Sequence, residues 1–226
     1  MIKEISGAVR HGRNLLEHEA MALLARYGIP TPKHKFAGSL EEACAAACGI
    51  GFPVVLKIVS KDILHKTEAG GVRLGIRSEE ALAAGYAEMM ENMKERFPDA
   101  EIEGVLVVEQ VGKGIECIAG MVRDEQFGPA LMFGLGGILV ELLEDVAFSL
   151  LPVDAAEARE MIESVKGFKL LKGYRGQPPR DLEAVTDLIV RIGKLTEENP
   201  EIKEIDINPF FVYEKGVMPV DIRIII

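Results

Sequence analysis

Cysteine is scarce. Three residues, an odd number without framework spacing, exclude a disulfide-stapled fold. A chain of 226 residues needs no staple, since folding at this size buries about 70–75% of the extended-chain surface. Cys44 and Cys48 share a face of an Ala-rich helical stretch, and Cys117 lies in a strand-like run; all three read as small buried residues. Long apolar runs are missing too: no segment reaches the roughly 20 residues that span a bilayer. The first residues, MIKEISGAVRHGRNLLEHEA, lack an apolar signal core and a small-residue cleavage site, so a cytoplasmic location without membrane contact is expected. Positive charge is in deficit, with 26 Lys+Arg against 36 Asp+Glu and a net charge of −10. That balance argues against a nucleic-acid backbone as partner, which calls for clustered Lys/Arg. It leaves room for a small phosphorylated ligand held by one local cationic pocket. The phosphate loop G-x-x-x-x-G-K-[ST] is absent, as are repeats and low-complexity linkers. The 48% apolar content is that of a globular chain and not of a disordered tail.

The elements that are present mix helices with short apolar strands. Asn14 with Glu17 three residues on has the capping-box pattern of a helix that stops near Tyr27-Gly28. Ser39 caps a second helix ending at Gly49, and Ser78 a long one through about residue 96. Strands are expected over 53–58, 72–76 and 104–110. Beyond Gly112, antiparallel strands are expected over 115–122 and 129–133, joined by a polar turn at 123–126, with another strand over 146–151. Asp154 and Asp181 cap two further helices. Strands over 202–207, 210–212 and 217–226 follow. The fold class is α+β. Two strand-rich lobes, 1–110 and 111–226, are expected to face each other across a cleft. The hinge is placed at 111–114, where Gly112 and Gly114 permit backbone angles other residues resist.

A few residues stand out against this frame. Lys57, near the end of an apolar strand, is costly to bury unless it meets an anion, so it is a candidate phosphate contact. The segment from Ser60 to Val72 is too long and polar for a tight hairpin and closes on Gly70-Gly71, whose amides could lie against phosphate oxygens. His65 sits in that loop, and imidazole is a competent nucleophile near neutral pH. Glu109 and Glu116 bracket the glycine turn and could accept from an adenine amino group and ribose hydroxyls. Period-2 alternation puts Asp206 and Asn208 on one strand face. Asp221 is enclosed by Val and Ile, an expensive place for a lone carboxylate. Oxygen donors of this kind suit Mg²⁺ shared with nucleotide phosphates. Arg175, between Tyr174 and Gly176, could clamp a phosphate bidentately.

With these residues in view, the chain resembles the ATP-grasp domain of the NDP-forming acyl-CoA synthetases, and more closely the β subunits of the ADP-forming acetate–CoA ligases. The resemblance runs through RYGIPTP, GFPVVLKIVSKDILHKTEAGGVRLGI, VLVVEQVGKGIECIAGMVRDEQFGPALMFGLGG, KGYRGQPP and EIDINPF. It implies an ATP-grasp fold with the nucleotide between two lobes. The implied reaction is acyl-CoA + ADP + phosphate ⇌ carboxylate + CoA + ATP. A CoA-binding α subunit would form the acyl-phosphate and pass its phosphoryl group to a histidine there. A second histidine, on a swinging loop of the β subunit, would relay it to ADP. The position matching that second histidine is His65. Lys57 matches the phosphate-contacting lysine, Glu109 and the backbone of Val111 the adenine site, and Glu116 the ribose site. Asp206, Asn208 and Asp221 match the Mg²⁺ region. In the related succinyl-CoA synthetases Asn208 and Asp221 would be the ligands, and Asp206 would hydrogen-bond the phosphohistidine. The sequence departs from those synthetases by stopping soon after Asp221 and by carrying the His65 loop. Both features favour the acetate–CoA ligase type, with an α₂β₂ assembly as the family's expectation. Two alternatives stand beside it: a stand-alone ATP-grasp carboxylate ligase, which needs an acceptor site on this chain, and a non-catalytic nucleotide-binding subunit.

Overall fold

Short polar side chains start four of the described helices, and β-branched runs form the strands between them. The computed structural model describes residues 2–63, 65–137 and 144–226. Ser39, Ser78, Asp154 and Asp181 each accept a hydrogen bond from a first-turn amide, so four of the five expected caps form. Asn14 does not cap its helix and accepts from the Ile226 amide instead. The chain divides after Thr31 and after Gly112 into two units: Met1–Thr31 with Lys113–Ile226, and Pro32–Gly112.

The unit Pro32–Gly112 holds β1 (His34–Ala37), α3 (Leu40–Ile50), β2 (Val54–Ser60), the short α4 (Lys66–Ala69), β3 (Val72–Ile76), α5 (Glu79–Arg96) and β4 (Ile102–Glu109). Its antiparallel sheet has the order β1-β4-β2-β3. Val54, Leu56 and Ile58 of β2 alternate onto one face with Val105 and Val107 of β4. There they join Ala43 and Ala47 of α3 and Leu82, Met89 and Met93 of α5 in one buried core. Gly104, at φ +152°, lets β1 approach closely, since a Cβ there would stand 2.3 Å from the Ala37 carbonyl oxygen. Cys48, expected to be buried, is exposed on α3.

The other unit opens with α1 (Lys3–Arg10) and α2 (Glu17–Arg26). It continues with β5 (Ile115–Asp124), β6 (Gly128–Leu135), β7 (Val146–Leu150), α6 (Ala155–Ser164), α7 (Phe168–Leu171), α8 (Leu182–Glu198), β8 (Glu204–Val212), β9 (Val217–Pro219) and β10 (Ile222–Ile225). Its antiparallel sheet runs β10-β8-β5-β6-β7, with β9 on the far end of β8. Ala119, Met121, Leu131, Phe133, Ile205, Ile207 and Phe210 line the buried face. Val185, Leu188, Ile189, Ile192 and Leu195 of α8 are buried in the same unit. Each such side chain contributes about 1.5–3 kcal/mol over an exposed one. Cys117 is fully enclosed, and burial pushes its thiol well above the ordinary range, so it stays protonated and inert.

The expectation of one lobe over 1–110 is corrected for Met1–Thr31, which pack with the later half of the chain. The Leu15 amide donates to the Ile224 carbonyl at 3.3 Å, Arg191 donates to the Tyr27 carbonyl at 3.0 Å, and the Asn199 amide donates to the Tyr27 hydroxyl at 2.8 Å. The start of α2 is also shifted. Glu17 is its first residue, and Glu19, ion-paired with Arg13, accepts from the Leu16 amide at 2.9 Å. No described helix is long and apolar enough to cross a membrane.

Candidate active site

Lys57 is only 4% exposed and lies in mid-strand, not near a strand end. The β2–β4 pairing runs on to Ser60, and Lys57 faces Leu106 on β4 and Val72 on β3 across the ladder. Alternation puts it on the face opposite Leu56 and Ile58, in line with Val55 and Val59, which are also buried. A charged amine enclosed this way needs an anionic or strongly dipolar counterpart.

From β2 the chain enters the loop that carries His65. Leu64 lies outside the described residues. Asp62 anchors the loop's first shoulder: its carboxylate accepts from the Glu101 amide at 2.8 Å, and the neighbouring Lys61 pairs with the Glu101 carboxylate. His65 is exposed and stands immediately before α4. Its carbonyl accepts from the Ala69 amide at 3.0 Å. Gly70 ends this turn of helix in the left-handed region, φ +81°. Gly71 then docks on β2. Its carbonyl accepts from the Ile58 amide at 2.8 Å, and a Cβ would stand 2.6 Å from Ile58 Cγ2. The expected role of Gly70 and Gly71 is corrected here. Their amides donate to the carbonyls of Thr67 and Lys66, at 3.1 and 2.7 Å, so they close the loop on itself and are not turned toward a phosphate.

Glu109 ends β4, half-buried, and its amide donates to the Lys33 carbonyl at 2.7 Å while its carboxylate accepts from the Lys33 amide at 3.3 Å. The half-buried Val111 follows in the same unit. Glu116, in the other unit, is exposed near the start of β5. A glycine run that sequence reading left without a role lies against it. The Gly136 amide donates to the Glu116 carbonyl at 2.7 Å, and a Cβ on Gly136 would stand 3.0 Å from that of Glu116.

Asp206 and Asn208 both point away from the buried face of β8, as alternation predicts. The strand does not break between them and Phe210. It runs through Pro209, and the irregularity is taken up as a bulge where Cys117 faces Phe210 and Ala119 faces Ile207. Asp206 is flanked by Gly120 on β5 and Arg223 on β10. The Arg223 guanidinium lies 2.6 Å from Glu204 and 3.5 Å from Asp206. Asp221 lies between β9 and β10, not within a strand, and is half-buried. Its carbonyl accepts from the Asn208 amide at 3.0 Å, which makes Asn208 and Asp221 backbone neighbours. Their side chains offer an amide and a carboxylate oxygen, the chemistry a hard divalent cation takes, with phosphate and water supplying the rest. Asp206 already serves a guanidinium and fits less well as a third ligand. Among the described residues no group of three or more His, Cys, Asp or Glu could hold a metal on its own.

Arg175 is exposed at a turn, with φ +51°, and its guanidinium lies 5.4 Å from the centre of its neighbour Tyr174's ring. No hydrogen bond or ion pair of the described residues joins it to the other candidates.

The ATP-grasp domain family matches residues 7–226. The β subunit of acetate–CoA ligase [ADP-forming] I from Pyrococcus furiosus is 47% identical, over 98% of this chain and 96% of that one. The acetyl-coenzyme A synthetase 1 of Ca. Korarchaeum cryptofilum, solved in complex with coenzyme A, Ca-AMPCP and HgCl⁺, superposes with a TM-score of 0.96 at 48% identity, over 98% of this chain and 97% of that one. A second structure of that synthetase, with coenzyme A and Mg-AMPPCP and its phosphohistidine segment pointing towards the nucleotide binding site, gives 0.86 at 45% identity, over 99% and 98%. The chain belongs to the ATP-grasp family and, within it, to the β subunits of the ADP-forming acetate–CoA ligases.

Proposed function

We propose that this chain is the nucleotide-handling β subunit of an ADP-forming acyl-CoA synthetase, working with a CoA-binding α partner in an α₂β₂ assembly. In the ATP-forming direction an ADP oxygen attacks phosphorus on His65. The N–P bond breaks, the new O–P bond makes ATP, and the imidazole is left neutral. The reverse half-reaction phosphorylates His65 from ATP. Such a transfer is governed by positioning and charge neutralisation.

Lys57 and Arg175 are the cations proposed for the phosphates, Glu109 and the Val111 backbone for adenine, and Glu116 for the ribose. Asn208 and Asp221 would hold Mg²⁺, which supplies charge neutralisation on the phosphate oxygens when bound. Asp206 keeps a proposed catalytic role as hydrogen-bond acceptor for the phosphohistidine, with Arg223 fixing its orientation. The observation that carries this reading is His65 itself: an exposed imidazole on a loop tied down at both shoulders. The near full-length likeness to β subunits of ADP-forming ligases supports it.

The test is to incubate the chain with γ-labelled ATP and Mg²⁺ and to map acid-labile phosphate. Label is expected on His65 and is expected to vanish in His65→Ala. Label that survives the substitution sinks the assignment.

A further inference from the structure

The His65 loop is gripped from outside by a residue that the reaction chemistry does not require. Arg96 is the last residue of α5, a helix held to the core by the buried Leu82, Met89 and Met93, so its backbone is fixed. Its side chain reaches back 27 residues in sequence. One guanidinium nitrogen donates to the Ala69 carbonyl at 2.6 Å and the other lies 3.5 Å from the Glu68 carbonyl. These carbonyls belong to the end of α4, where the backbone dipoles place partial negative charge. The guanidinium also stands over the Phe97 ring, 5.5 Å from its centre, which holds the fork in place from its other side. Gly70 makes room for it: a Cβ there would be 3.3 Å from the same nitrogen.

We infer that Arg96 is a positioning residue for His65. The α4 turn is a single short unit whose first carbonyl is that of His65 and whose last carbonyls are those Arg96 holds. A four-residue helix is not stable alone, because nucleating a turn costs more than its few hydrogen bonds return. The grip on its end therefore decides whether the turn is formed and where the imidazole stands. Arg96 touches neither the imidazole nor the nucleotide in this reading. It acts through the backbone of residues 66–69. Its loss should slow phosphoryl transfer without weakening nucleotide binding. This inference rests on the proposed role of His65.

Arg96→Gln and Arg96→Lys are compared with the unaltered chain. The readouts are the single-turnover rate of His65 labelling from γ-labelled ATP with Mg²⁺, ADP affinity by titration calorimetry, and amide hydrogen exchange across residues 65–71. Arg96→Gln is expected to label at least tenfold more slowly, with ADP affinity within twofold and faster exchange at Ala69 and Gly71. Arg96→Lys keeps a cation for one carbonyl and is expected to recover part of the rate. Labelling of Arg96→Gln at the unaltered rate, or a slower rate with unchanged exchange, overturns the inference. Absence of His65 label in the unaltered chain overturns the functional reading itself, a separate result.

Discussion

Lys57 is the residue at which a phosphate-binding role is most directly testable. A lysine on the buried strand face with Val55, Val59 and Leu106 loses hydration that a counter-charge must return. With phosphate as part of that counter-charge, Lys57→Met is expected to weaken ADP binding tenfold or more, read by calorimetry beside thermal unfolding. A melting temperature lowered by several degrees with ADP affinity intact would make Lys57 a structural residue. Sequence reading found this lysine by its incongruity in an apolar run, but placed it near the strand end. The part of β2 beyond Ile58 owes its extension to pairing with Gly104 and Ile102, which no local pattern announces.

At the scale of elements, legibility followed how local the cause was. The Ser39, Ser78, Asp154 and Asp181 caps are contacts within four residues, and all were readable. The α4 turn, the passage of β8 through Pro209 and the Arg96 grip depend on residues far off in the chain and were not. Asp181 offers a test at this scale. Its carboxylate accepts from the Ala184 amide at 3.0 Å, starting α8, and from the Gly216 amide at 2.7 Å, holding the turn before β9. These backbone hydrogen bonds, that of Gly216 first, hold its carboxyl below the usual aspartate value. A pKa depressed in the folded state means stability that is fully present above the unfolded value and fades as pH falls through the folded one. Asp181→Ala is expected to cost about 1–2 kcal/mol at neutral pH. The gap from the unaltered protein should close on acidification below the ordinary aspartate range. Denaturant unfolding at a series of pH values measures it, and a gap independent of pH would contradict the ionic origin.

For the whole molecule, the sequence order of the two units is the informative feature. Pro32–Gly112 is continuous and has its own core, whereas Lys113–Ile226 is completed by Met1–Thr31. A fragment of Pro32–Gly112 is expected to unfold cooperatively on its own. A fragment of Lys113–Ile226 should do so only when Met1–Thr31 is supplied, because the packing of α2 on β10 and the Tyr27 contacts with Arg191 and Asn199 are otherwise missing. Circular dichroism melts of the two fragments, with and without the N-terminal peptide, decide this. Equal cooperativity of Lys113–Ile226 without the peptide would refute it.

The same interruption governs how the protein is made. On the ribosome α2 emerges before the middle unit, yet its partner strand β10 is made after every other described element. The middle segment can fold as soon as it clears the exit tunnel, while Met21, Leu23 and Leu24 wait for β10 before their cover is complete. Through that interval the nascent chain presents part of an apolar helix face, the kind of transient surface from which aggregation starts.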